Sequence, residues 1–190
     1  MFTQKAGVLK TADFSALKID YRGIQRLIKS GMIEKVKAGY YRLVGNDDSG
    51  EAAIIARLFP DGVLWQHTAL FYYGYSDRTP LAWEIIISKN ASRTRFNIDY
   101  PPVRPFFVVP ERLAFGITTI EIEGCTLQIL DRDRLICECL KYEDDLDRET
   151  FIKAIQAYVA DPKKNIKNLL NYARRRKATK RVYDVIGVWL

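Results

Sequence analysis

The chain has 190 residues, 48% of them hydrophobic and 28% charged, with a formal net charge of +7. A chain of this length and composition builds a sizeable core, as one domain or as a small module plus a larger one. Apolar runs such as Trp83–Ile87 are too short to cross a membrane, no apolar signal segment follows Met1, and three cysteines (Cys125, Cys137, Cys139) suit buried thiols in a reducing cytosol rather than a disulfide framework.

The charge is uneven along the chain. Residues 1–44 hold nine Lys/Arg against three Asp/Glu, residues 45–162 hold twelve against nineteen, and residues 163–181 hold nine with no acidic residue. Basic ends around an acidic middle suit a polyanionic partner, or else solvated faces and pairing within the chain.

In chain order, Gly7-Val8-Leu9 is followed by Thr11, which can cap a short helix, Ala12–Leu17, with Phe14 and Leu17 inward. Lys18-Ile19-Asp20 is a turn. Tyr21–Ser30 is amphipathic: Ile24, Leu27 and Ile28 share one arc, and Arg22, Gln25, Arg26 and Lys29 the opposite one. Asp20 is the expected N-cap and Gly31 the stop. "MIEKV" and "GYYRL" are strands joined by Lys37-Ala38-Gly39. The order helix, three-residue turn, helix, hairpin is that of a winged helix-turn-helix. Its second helix would present Arg and Gln donors to base edges in a major groove. Lys18, Tyr21, Arg22, Gln25, Arg26, Lys29, Lys35, Lys37 and Arg42 are the candidate contacts to double-stranded DNA, with Lys18, Lys35, Lys37 and Arg42 as phosphate contacts.

"VGNDDSGE" is the expected boundary, dividing the chain into a winged helix over 1–45 and an α+β domain over 46–190. Asp48 or Ser49 can cap a helix over Glu51–Phe59, and Gln66–Tyr73 is a second helix stopped by Gly74. "AWEIIIS" is a strand, and Val103–Val109 another, whose Pro105 is more tolerable at a sheet edge. "GITTIEIEGCTLQIL" is a hairpin turning at Glu123-Gly124. Helices then follow. Asp131 or Asp133 caps one with apolar residues at 135, 136, 139 and 140. Asp147 caps one facing inward through Phe151, Ile152, Ile155, Tyr158 and Val159. Pro162 starts one striped by Ile166, Leu169, Leu170 and Ala173. A last helix turns Val182, Val185, Ile186 and Trp189 inward. Strands early and helices late make an α+β domain with an antiparallel or mixed sheet. Arg174, Arg175, Arg176, Lys177, Lys180 and Arg181 form a possible second basic surface, or a solvated helix end that complements the macrodipole.

The stretch "AGVLKTADFSALKIDYRGIQRLIKSGMIEKVKAGYYRL" resembles the N-terminal winged helix of AbiEi-type antitoxins of type IV toxin–antitoxin systems. It carries a Gly-led strand, a capped short helix, a recognition helix and then Gly31, Ile33, Val36, Gly39 and Tyr40 or Tyr41 at the family's spacing. "VLWQHTALFYYGYSD", "LDRDRLICECLKY" with Asp131 and Arg134, and "LLNYARRRK" continue the resemblance, which runs from about Gly7 onward. It differs in having only Met1–Ala6 where the family usually has a full helix. The resemblance implies a bacterial, cytoplasmic antitoxin that represses its own promoter through the N-terminal domain and carries antitoxicity in the C-terminal one. Its functional partner would be a nucleotidyltransferase-like toxin, with no physical complex required. The rival is a stand-alone regulator or interaction protein that acts only through its C-terminal domain.

No enzyme is expected. Asp131-x-Asp133 lacks a Gly-Ser lead and a third carboxylate and fits a helix N-terminus better. Gly45–Gly50 lacks the Lys-Ser/Thr ending of a phosphate loop. His67, the single histidine, fits a satisfied structural role. Cys137 and Cys139 point different ways on a helix, which disfavours zinc. The aromatic group Trp65, Phe71, Tyr72, Tyr73 and Tyr75 fits a core. Neither cofactor nor metal is expected.

Overall fold

The computed structural model describes residues 7–45 and 50–189. The remnant Met1–Ala6 and the caps Asp48 and Ser49 read from the sequence lie outside the described residues. The fold is α+β, with one antiparallel and one mixed sheet and helices toward the C-terminus. Among the described residues, no helix is long and apolar enough to cross a membrane. The chain divides into two compact units: residues 1–61, 92–103 and 120–127, and residues 62–91, 104–119 and 128–190.

The first unit begins with strand β1 (Val8–Lys10), helix α1 (Thr11–Ala16) and helix α2 (Tyr21–Lys29). The hairpin β2 (Ile33–Lys37) and β3 (Tyr40–Leu43) and helix α3 (Glu51–Leu58) follow. The strand order is β1-β3-β2, with Leu9 opposite Tyr41 and Ile33 opposite Leu43. A bulge between Lys35 and Lys37 shifts the register toward the turn. Leu9, Phe14, Ile24, Ile33 and Tyr41 form the core, and Phe14 meets Tyr41 edge-on at 5.5 Å. Burying such side chains stabilises by about 1.5–3 kcal/mol each. Leu17 does not join them: it is 43% exposed, because α1 ends at Ala16 and Lys18 (φ +59) swings the chain into α2. Helix α3 belongs to this unit, beyond the boundary read from the sequence at residue 45. Asp13 explains part of that. Its carboxylate accepts from Lys10 N on the lead into α1 and from Arg57 Nη2 on α3, both at 2.8 Å.

A five-stranded sheet is organised around strand β4 (Val63–Leu64), a strand not expected from the sequence. Two residues carry no periodicity, and only their neighbours define them as a strand. β4 runs antiparallel to β5 (Trp83–Ser88) and parallel to β8 (Cys125–Leu130). With β6 (Val103–Val108) and β7 (Ile117–Ile122) the order is β6-β5-β4-β8-β7. Pro105 is therefore on an edge strand, where its missing N–H costs no ladder bond. Helix α4 (Gln66–Tyr72) follows β4. Helix α5 (Arg132–Lys141) is central and packs against α4, α6 (Arg148–Ala160), α7 (Ile166–Arg176) and α8 (Thr179–Ile186).

Asp131 caps α5 by accepting from Arg134 N at 2.7 Å, and Asp147 caps α6 by accepting from Thr150 N at 3.0 Å. Pro162 does not start a helix; α7 begins at Ile166, and Asn165 caps it through Asn168 N at 3.1 Å. The buried face of α6 is Phe151, Ala154, Ile155 and Tyr158, so Ile152 is left exposed one position off the stripe. Trp189 is also exposed. A 3-10 turn over Gly187–Trp189 breaks the helical register that buries Val182 and Ile186.

Gly116 sets the path between β6 and β7. It sits at φ +66, and a Cβ there would lie 2.7 Å from Arg134 Cβ. Gly116→Ala is expected to cost about 2 kcal/mol, from left-handed strain and overpacking together. An unchanged urea midpoint would contradict that.

Candidate nucleic-acid interface

The shape of α2 follows from its sequence. Asp20 accepts from Gly23 N at 2.8 Å, closing the N-terminus, and Gly31 (φ +72) ends the helix as Met32 N donates to Leu27 O at 3.1 Å. Ile24 is buried, with Leu27 and Ile28 half-buried beside it. Arg22, Gln25, Arg26 and Lys29 are all exposed on the other face, as are Lys18 before the helix and Lys35 on β2. None of these cations makes an ion pair with another described residue. Tyr21 is 69% exposed, and Leu17 and Met32 add exposed apolar surface near the two ends of α2. The face thus offers fork donors, point charges and a few apolar contacts.

Two expected contacts are occupied within the chain. Lys37 is half-buried, and its ammonium donates to Thr94 O at 2.5 Å. Burial first, and the nearby Arg95 second, lower its pKa. Arg42 pairs with Glu34, its cross-strand neighbour, and lies over the Tyr100 ring. Both are correspondingly less available to a phosphate. The sequence held one part of the signal: Glu34 and Arg42 sit at strand positions a tight hairpin makes opposite. The partners of Lys37 and Arg42 at Thr94 and Tyr100 come from far along the chain and leave no local trace.

The second basic run behaves differently from its sequence reading. Arg174, Arg175, Lys177 and Lys180 are exposed, and Arg175 lies over the Phe115 ring at 4.2 Å. Arg181 pairs with Glu143. Arg176 is buried and is no part of a surface. Its Nη2 donates to Glu138 Oε2 at 2.9 Å and to Tyr142 Oη at 3.2 Å, and its Nε also donates to Glu138. Glu138 also accepts from Arg134 Nε at 2.7 Å. Arg134 in turn donates to Phe115 O at 3.0 Å and Arg112 O at 3.3 Å. Helix periodicity did point to the α5 apolar residues, but Arg134 and Glu138 are buried among them. Their i,i+4 spacing was the available signal.

The remaining chemistry-bearing groups are tied into the fold. Asp133 is buried and accepts from Tyr158 Oη and Asn165 N, both at 2.7 Å. All three cysteines are buried, and burial raises the Cys137 thiol to about 12. Among the described residues no group of three or more His, Cys, Asp or Glu could hold a metal ion.

His67 pairs with the buried Glu84: its backbone N donates at 2.9 Å, and Nδ1 lies 3.0 Å from the same oxygen. That hydrogen bond raises the His67 pKa, outweighing the lowering by burial. A folded-state pKa above the unfolded one means the bound proton stabilises the fold. The contribution is full below about pH 6.5 and is lost as pH rises through the raised value. Urea midpoints are therefore expected to fall across that window, and the fall should flatten in His67→Gln. The same slope in both proteins would overturn the pairing.

Compared with known proteins, the chain matches no family model and no curated protein.

Proposed function

We propose that the first unit is a winged helix-turn-helix that binds double-stranded DNA, with α2 as recognition helix and the β2–β3 hairpin as wing. The observation that carries this is the division of α2: Ile24 is buried, while Arg22, Gln25, Arg26 and Lys29 stand exposed on the opposite face. A solvated helix that merely needed solubility would mix both signs on its outer face; here every charged residue of α2 is basic. The element order and the three-stranded sheet support the reading. Together with the resembled segments, this supports reading the chain as an antitoxin that represses its own promoter and opposes a nucleotidyltransferase-like toxin through residues 46–190.

The test is a mobility shift of the full chain on the DNA upstream of its gene, across a salt series. A shift whose affinity falls linearly with log salt is expected. No shift even at low salt would overturn the reading. It would favour the rival, an interaction protein that acts through its second unit, to which the engaged Lys37 and Arg42 lend some support.

A further inference from the structure

We propose that the second unit holds a binding site for a small organic anion with a flat apolar body, in the cavity beside Tyr142. The site goes beyond the DNA-binding reading and does not depend on it. The cavity measures about 190 Å³. An apolar cavity of about 150 Å³ takes benzene, so one aromatic ring fits here with its polar head toward the charged wall. Trp65, Phe106 and Phe107 supply flat apolar wall. The Trp65 ring packs 5.6 Å from Phe106 and 5.8 Å from Tyr142, so the wall is held in place from both sides.

The charged wall has more donors than acceptors. Glu138 is one carboxylate serving two buried guanidiniums, Arg134 and Arg176. Arg112 is half-buried and donates only to Tyr142 Oη, at 3.3 Å. Tyr142 Oη accepts from both Arg112 and Arg176, and its own proton has no acceptor among the described residues. Arg176 Nη1 likewise has no partner among them. The other acid on the wall, Asp145, is exposed at the rim. An excess of buried positive charge is costly, and guanidinium and phenol donors without acceptors suit one kind of head group, an oxyanion. Carboxylate and phosphate share that chemistry.

Titration calorimetry of the full chain with phenyl phosphate and with benzoate tests the proposal. Benzyl alcohol serves as a ring without charge and inorganic phosphate as a charge without ring. One saturable site per chain is expected for at least one aryl anion, with both controls weaker by about tenfold or more. Arg112→Gln removes a guanidinium charge and Tyr142→Phe a phenol donor, and each is expected to weaken binding by about tenfold. Neither change breaks an ion pair, and a thermal melt of each variant shows that it still folds. Three outcomes overturn the proposal: no saturable binding of either aryl anion, equal binding of benzyl alcohol, or unchanged affinity in both variants.

Discussion

Replacing Glu138 with alanine is expected to destabilise the second unit by about 3–5 kcal/mol, because it strands two buried guanidiniums. Glu138 and Arg134 are each 1% exposed and Arg176 is 7% exposed, so both guanidiniums lose a counter-charge where bulk solvent screens little. In a chain of this size each kcal/mol moves the melting midpoint by about 2–4 °C. A fall on the order of 10 °C should follow. Glu138→Gln keeps the shape and one acceptor and should lose less. Arg176→Met should cost less than Glu138→Ala, since Arg134 then keeps Glu138 to itself. Replacing Arg134 is a different matter, because its Nη groups also hold the carbonyls of Phe115 and Arg112. Urea and thermal melts of these variants check the ranking. If Glu138→Ala loses less than about 1 kcal/mol, an ordinary surface effect, then the cluster is not the buried charge centre described above.

Arg26→Ala is expected to weaken operator binding by about 1–3 kcal/mol, the range for loss of a side chain that reads a base edge. Arg22→Ala/Arg26→Ala should lose about twice that if the two act independently. Both residues are exposed and away from the core cluster, so the variants should melt like the parent chain. Lysines that touch phosphate behave differently: removing one lowers the salt slope by about 1 and weakens all sequences alike. Lys35→Ala should show that, and Lys37→Ala should show less of it, because the Lys37 ammonium already donates to Thr94 O. Mobility shifts on specific and scrambled DNA measure both effects. A double Arg variant that binds as tightly as the parent removes α2 from the interface. The same variant separates the two roles proposed for the chain: repression should disappear while antitoxicity persists. Deleting the N-terminal segment is a poorer experiment. Helix α3 packs with β1, and its Arg57 would lose Asp13 on α1.

Local pattern and distant contact divide the structure between them. By itself the sequence determined α2 down to its ends, because Asp20, the Ile24 arc and Gly31 act within one or two helical turns. It likewise determined the β7–β8 hairpin and the cap Asp147, and it narrowed the cap of α5 to Asp131 or Asp133. Turn chemistry and periodicity are written in adjacent residues and survive any packing. Only the tertiary structure decided three things. It made Val63–Leu64 a central strand by supplying neighbours on both sides. It engaged Lys37 and Arg42 and left Arg22, Arg26 and Lys35 free of ion pairs with other described residues. It withdrew Arg176 from a basic run that reads as surface and set it against Glu138. A charge in a sequence shows what it can pair with. Whether it meets water or a buried carboxylate depends on residues dozens of positions away.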